Sequence, residues 1–456
     1  MAGKGSALLS ASVASASSLI ALQLLSRLTT FALNQALFRL ASPAAFGATS
    51  IQLELLLSTI LFLSREGASQ PSAPSTLSES DPARTSNLAF LPVIAGVPLA
   101  LSTAALFAYA AGAELQAHPH FRTAVALYAF AAVAELLSEP LYNYAMTHLK
   151  INIRMRAEGL GVAAKSLTTF FVLLYDSCWG TGGLALIAFA LGQVMYSAIV
   201  FLTYIIYLGG DPMWLVRPSK PVPKATFLST YFDPVALQLS FTLTLQSLVK
   251  HFLTEGDKLI LSWFSPLRDQ GGYAIAVNYG SLIARIVFQP IEESLRLFFS
   301  RTLNTPSPKP AALLSAHSTL TGVLRAQVAF SVLLVVFGTL YLPLVLPLLL
   351  PPAYLATSAP SVLKAWVWYV PVLAVNGALE AFLASVARPG QLNAQSRWMV
   401  GFSVVYVSAA LFFYRVGMGD AGLVYANIGN LSVRVGYCVR FAARYFSSST
   451  TSKSLR

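Results

Sequence analysis

Residues 22–39 read LQLLSRLTTFALNQALFR. The run is apolar enough to be a buried helix, yet Gln23, Arg27, Thr30 and Asn34 recur at i, i+4, i+7 and i+11, one straight stripe at 3.6 residues per turn. A stripe of this kind on an apolar helix has one general use, which is to face water or a polar partner inside a membrane. Composition supports that solvent. Of 456 residues, 56% are hydrophobic and 11% charged, against about 25% charged in ordinary soluble domains. The balance of 30 Lys and Arg against 18 Asp and Glu gives +12, but the basic residues form no single basic domain, so nucleic acid is not a partner. The two cysteines, Cys178 and Cys438, build no disulfide framework.

About 20 helical residues cross a hydrocarbon core of about 30 Å. The sequence predicts an all-α polytopic membrane protein of about 12 such helices, over 14–38, 44–64, 88–112, 121–147, 158–177, 182–208, 231–256, 272–300, 323–350, 361–387, 397–416 and 420–446. Short or polar segments can shift that count by two, to 14. Between the spans lie Pro- and Ser-rich stretches at 68–86, 217–224 and 304–311, which cannot form a packed core and read as loops. The organisation expected is an N-terminal bundle (1–208), a cytosolic linker (209–230), a C-terminal bundle (231–446) and a short cytosolic tail (447–456).

Orientation follows from the basic residues. Lys4, Lys150, Arg154, Arg217, Lys224, Arg301, Arg388 and Arg444 fall in the even-numbered loops and the tails, whereas the odd loops hold little beyond Arg122, Arg268 and Arg415. That asymmetry puts both termini in the cytosol. The first apolar run lacks a basic leader and is expected to stay as a helix.

A shift of about 223 residues lays Gln23 on Gln246, Arg27 on Lys250, Asn34 on Asp257 and Ser42-Pro43 on Ser265-Pro266. After a short insertion Gln52 falls on Asn278 and Glu66 on Glu292. Two halves of six helices each would be parallel repeats, two pseudo-symmetric bundles around a central cavity.

Charges within the spans carry the chemistry. A charge near the bilayer centre costs at least about 2.5–3.5 kcal/mol, so such groups face a partner or water. Arg27, Glu54, Glu135, Glu139, Lys165, Lys250, Glu255, Asp257, Arg285, Glu380 and Arg434 all fall inside apolar segments. Asn278, Arg285, Glu292 and Arg296 repeat the stripe of the first helix, and Pro290 removes one backbone hydrogen bond there, predicting a kink. A structural reading neutralises Arg27, Lys250 and Arg285 as internal salt bridges with Asp257, Glu54 or Glu292. A functional reading lines a wet cavity with them, because guanidinium is a bidentate fork for phosphate. A proton-coupled reading makes Asp257 or Glu135 the titrating group.

The remaining signals are weak. Arg39 and Arg65 lie near helix ends, where snorkelling accounts for them. Residues 180–185, GTGGLA, have no strand before them, so they are no nucleotide loop. His118-Pro119-His120 lacks further metal ligands. No nucleophile, histidine and carboxylate come together at readable spacing, so neither an enzyme nor a cofactor is expected.

Four segments, SRLTTFALNQALFR (26–39), IQLELLLSTILFLSREG (51–67), TEGDKLIL (254–261) and NYGSLIARIVFQPIEESLRLFFSR (278–301), resemble the signature segments of the Rft family of endoplasmic-reticulum oligosaccharide-lipid translocation proteins. That family resembles the wider group of multidrug, oligosaccharidyl-lipid and polysaccharide exporters. The resemblance implies a role in bringing dolichol-pyrophosphate-linked Man5GlcNAc2 from the cytosolic to the luminal leaflet for N-glycosylation, in contact with membrane lipids and other proteins of that pathway. On this reading Arg27 and Arg285, with Lys250, hold the pyrophosphate. Arg39, Arg65 and Arg325 act at the cavity rims, and Asn34, Asp257, Asn278, Gln289 and Glu292 contact sugars or pair with the arginines. A non-transporting lipid-binding factor and a cation- or proton-coupled exporter are the alternatives.

Overall fold

The computed structural model of the protein describes residues 32–65, 87–180, 182–209, 251, 254–303 and 310–451. The described residues are helices and turns, with no strand among them. The longer helices are α1 (32–40), α2 (Pro43–Arg65), α3 (Leu91–Ala110), α4 (Phe121–Leu136), α5 (Glu139–Thr147), α6 (Ile151–Trp179), α7 (Ala185–Leu208), α8 (Gly256–Phe264), α9 (Leu267–Leu303), α10 (Pro310–Leu349), α11 (Ala359–Val386), α12 (Pro389–Phe413) and α13 (Ala421–Thr451). Among the described residues nine stretches are long and apolar enough to cross a membrane, α4 and α5 together making one of them. The predicted spans 14–38 and 231–256 lie mostly outside the described residues. Leu340, Leu344 and Leu348 of α10 are 66%, 73% and 81% exposed, a surface that only lipid tails accommodate at this length.

Helix boundaries differ from the sequence reading where proline decides them. The stretch 304–311 predicts a loop, yet α10 begins at Pro310, because proline at the first turn forfeits no helical hydrogen bond and the apolar run after it continues the helix. The predicted span 121–147 stands as one membrane-length stretch, within which the helix breaks at Leu137-Ser138, two residues before Pro140, into α4 and α5. In α9 the predicted kink takes a definite form, since Ala284–Phe288 widens to a π-helix directly ahead of Gln289-Pro290.

The chain forms two compact units, Met1–Ser42 with Leu56–Leu245, and Pro43–Leu55 with Gln246–Arg456. In the first, α6 packs along α7, and α7 along α4, with Leu141, Ala145, Ala157, Val200 and Tyr204 as one buried cluster. In the second, α11 is central and packs on α9, α10 and α13. Phe299 and Phe382 meet edge to face there, with ring centroids at 5.1 Å.

In the second unit the start of α2 packs closely on the start of α9. A Cβ on Gly47 would lie 2.1 Å from the Leu267 carbonyl oxygen, and one on Gly271 would lie 2.0 Å from that of Pro43. The contact is reciprocal, and both pairs share one sequence offset (271 − 47 = 267 − 43 = 224). Each helix follows a Ser-Pro turn, Ser42-Pro43 or Ser265-Pro266. Beside the crossing, buried Gln270 donates to the carbonyls of Leu261 (3.1 Å) and Ser265 (2.8 Å) and accepts from Gln52 (3.1 Å). Small residues let backbones touch where lipid supplies no hydrophobic drive for helix association.

Asp420 closes the same end of this unit from the turn before α13, buried and accepting the Ser265 hydroxyl at 3.2 Å. Burial raises its carboxyl above the usual aspartate range.

Two outcomes are expected. Gly47→Ala and Gly271→Ala each lower stability by about 1–3 kcal/mol through overpacking, read as the melting midpoint in detergent, and the double variant loses less than the sum because the first clash has already parted the backbones. For Asp420 the folded state binds the proton more tightly than the unfolded chain. Its contribution is therefore present at acidic pH and lost as pH rises through the raised folded value, so Asp420→Asn flattens the pH dependence of the midpoint and raises it above neutral pH.

Candidate functional site

The residues singled out from sequence fall into separate clusters. In the first unit, Arg65 ends α2 and meets two carboxylates on either side of the α4–α5 break. Its Nη2 donates to Glu135 at 2.8 Å, and its Nε pairs with Glu139. Glu135 and Glu139 are one turn apart and buried, which lets one guanidinium serve both. Pro140 produces this arrangement, because the break it forces turns both side chains toward one point. Snorkelling accounts for Arg65 without a partner, so the sequence reading missed this clamp. The Glu-x-x-x-Glu-Pro pattern was its signal. Asn34 is half-buried on α1 and Arg39 exposed near that helix's end.

In the second unit the stripe on α9 is the principal feature. Arg285 is at the middle of the 37-residue helix, within the π-helical turn, and its Nη2 donates to the Asn278 carbonyl at 2.9 Å and to the Asn278 side chain at 3.4 Å. The side chain thus lies back along the helix over two turns, which brings together two residues of the stripe. Arg285, Gln289, Glu293 and Arg296 are exposed. Glu292 turns the other way, into a notch on α11 made by Gly377, where any Cβ would lie 1.8 Å from its Oε1. Arg296 and Glu380 are within electrostatic range of that carboxylate. Gly377 was not legible as part of the site, since its role is space for a residue 85 positions away (377 − 292 = 85).

Asp257 is half-buried at the start of α8 and accepts the Lys258 backbone N–H at 2.8 Å. Tyr273, Tyr369 and Tyr406 lie close enough to feel its charge, and Lys258 pairs with Glu255 at 2.8 Å. Tyr369 accepts from Asn427 at 3.2 Å, and Asn430 donates to Asn427 at 3.4 Å. Arg434 of α13 donates through Nε to Glu380 of α11 at 3.0 Å. Arg325 is exposed on α10. Arg27 and Lys250, the other two cations assigned to pyrophosphate, lie outside the described residues, as do Gln23, Gln246 and Glu66. Among the described residues no three His, Cys, Asp or Glu side chains converge as a metal site.

An α9 stripe of amide and guanidinium groups on a membrane-length helix suits a polar, anionic ligand. The sequence profile of the family described as Rft protein matches residues 11–456. The chain belongs to the Rft protein family. Its relatives include proteins named Man(5)GlcNAc(2)-PP-dolichol translocation protein RFT1. That of Yarrowia lipolytica is 36% identical over 490 residues, covering 97% of this chain and 71% of its own. That of Saccharomyces cerevisiae is 30% identical over 478 residues, covering 95% and 82%, and that of Mus musculus is 29% identical over 455, covering 95% and 82%. These relatives are translocation proteins rather than enzymes.

Among solved structures, the lipid II flippase MurJ in its inward closed conformation superposes with a TM-score of 0.59 at 13% identity, over 95% of this chain and 91% of MurJ. An inward-facing multidrug resistance MATE family transporter of the MOP superfamily gives 0.55 at 12%, over 93% and 95%. The fold is therefore that of these transporters, an all-α polytopic membrane architecture.

Proposed function

We propose that this protein moves dolichol-pyrophosphate-linked Man5GlcNAc2 from the cytosolic to the luminal leaflet of the endoplasmic-reticulum membrane, supplying N-glycosylation. The observation that carries the reading is the exposed stripe of Arg285, Gln289 and Arg296 on α9, a helix long and apolar enough to cross the membrane. Cations and amides kept exposed on such a helix are far less costly against water than against lipid tails. The names of the relatives supply the cargo, and the likeness to MurJ supplies a fold that serves lipid-linked cargo elsewhere.

The physics of the cargo matches the stripe. A pyrophosphate carries at least two negative charges, and the heptasaccharide head is polar and large, so unassisted passage through hydrocarbon is prohibitive. A cationic, water-filled cavity, open in turn to each side, lowers that barrier while the isoprenoid tail stays in lipid. In this mechanism Arg285 and Arg27, with Lys250, hold the pyrophosphate by charge-assisted hydrogen bonds. Asn278 orients Arg285, and Asn34, Asp257, Gln289 and Glu292 meet sugars or arginines, with Arg39, Arg65 and Arg325 toward the rims. No covalent step is involved, and both termini face the cytosol.

The test is leaflet exchange of the heptasaccharide lipid in liposomes holding the purified protein. Exchange is expected to fall at least about tenfold in Arg285→Ala and in Arg27→Ala, the scale of one lost charge-assisted bond, while both variants express and remain monodisperse. A protein that binds the lipid yet exchanges none of it is a supporting factor instead, and variants that fail to fold make these arginines structural ion-pair partners.

A further inference from the structure

The N-terminal unit carries a basic surface that the stripe does not use. Three residues, His148-Leu149-Lys150, join the membrane-length stretches Phe121–Thr147 and Ile151–Trp179, so this turn lies at a membrane face. Helix α6 has 29 residues, about 43 Å at 1.5 Å per residue, against a hydrocarbon core of about 30 Å. Asn152, Arg154, Arg156 and Glu158 are grouped at its start, which therefore stands among headgroups. There three cations lie over three tyrosine rings of the neighbouring helix ends. Lys150 is over Tyr144 at 5.4 Å and Arg154 over Tyr142 at 5.4 Å, both rings on α5, and Arg156 is over Tyr207, the last residue but one of α7, at 5.3 Å. Each ring fixes where a charge sits.

The turn adds an apolar element. The Lys150 backbone N–H donates to the Ala145 carbonyl at 2.8 Å and the Leu149 N–H to that of Met146 at 3.0 Å, the pair of bonds of a Schellman helix end, whose left-handed residue is normally glycine. Leu149 holds that place at φ 55°, a strained conformation for a residue with a Cβ, and its side chain is 79% exposed. Met155 is 64% exposed on the first turns of α6. A leucine held outward in a glycine's conformation gains nothing from water, but at a membrane face it has acyl chains to enter. Residues 147–158 contain one carboxylate, Glu158, and Arg154 pairs with it at 2.7 Å. Lys150 and Arg156 are exposed, with no other carboxylate of this segment to neutralise them.

We propose that this face holds anionic phospholipids whose headgroup carries the phosphate as its only charge, such as phosphatidylinositol. Lys150 and Arg156 each donate to a phosphate, and Leu149 and Met155 sit among the acyl chains. A zwitterionic headgroup is held less well, because its ammonium finds the tyrosine faces taken by the protein's own cations and Glu158 taken by Arg154. The patch includes none of the residues assigned to the cargo, so it stands if that reading fails.

The experiment uses the full-length protein purified in detergent with an equimolar mixture of phosphatidylinositol, phosphatidylcholine and phosphatidylethanolamine, and retained lipids are counted by native mass spectrometry. Phosphatidylinositol is expected to be retained preferentially. Lys150→Gln and Arg156→Gln each lower that preference about fivefold, the scale of one basic residue at a membrane surface, whereas Arg122→Gln, exposed at the opposite end of the stretch Phe121–Thr147, leaves it unchanged. Leu149→Gly relieves the strained backbone, so it lowers the number of retained lipids while the melting midpoint holds or rises, which separates lipid binding from folding. Equal retention of the three lipids, a preference that survives both charge variants, an equal loss in Arg122→Gln, unchanged retention in Leu149→Gly, or displacement of the retained lipid by the heptasaccharide lipid overturns the proposal.

Discussion

The glycine crossing of α2 and α9 is the constraint on which the C-terminal unit depends. Gly47 and Gly271 bring two backbones to a distance that admits no side chain, and everything near them is arranged to keep that contact. A Ser-Pro turn starts each helix, and Gln270 donates to the carbonyls of Leu261 and Ser265 beside the crossing. In water such a contact would be a detail of packing. In lipid, where apolar surfaces gain little by meeting one another, close backbone approach and buried amide bonds are what hold helices in register. With the start of α9 fixed, Pro290 and the π-turn ahead of it decide which way Arg285 points.

The charges of the chain then divide by what faces them. Arg65 is clamped by Glu135 and Glu139, and Lys258 is paired with Glu255. These are the internal ion pairs expected of charges buried among helices, costly to break and of little net gain. The polar groups of α9 are different in kind, because Gln289 and Arg296 remain exposed on a helix whose neighbour α10 is exposed leucine and valine. A membrane sorts these two surfaces, apolar toward tails and polar toward water, and that sorting is the physical basis for a path.

Much of this was legible in the sequence. Apolar spans, the Pro290 irregularity and the repeated Ser-Pro follow from local patterns, and the alignment of Asn278 with Arg285 needs only helical periodicity. What was not legible depends on contacts between distant residues. Nothing local to Arg65 announces Glu135 and Glu139, 70 and 74 residues further on (135 − 65 and 139 − 65), and Gly377 is readable only once Glu292 is seen against it. Proline misled in one place and informed in another. At 310 it opens a helix that composition read as loop, and at 140 it breaks the helix inside a span whose bounds hydropathy read correctly.

A path for the polar head group needs one side of α9 to face water inside the membrane, and solvent access to that side is the direct measurement. In protein with Cys178 and Cys438 replaced by serine and reconstituted in liposomes, Asn278→Cys, Arg285→Cys and Gln289→Cys are each treated with a membrane-impermeant thiol reagent, beside Val287→Cys, which lies about half a turn away around the helix. Rapid labelling at 278, 285 and 289 and protection at 287 are expected. Equal labelling at all four positions, or protection of the three polar ones, would contradict such a path.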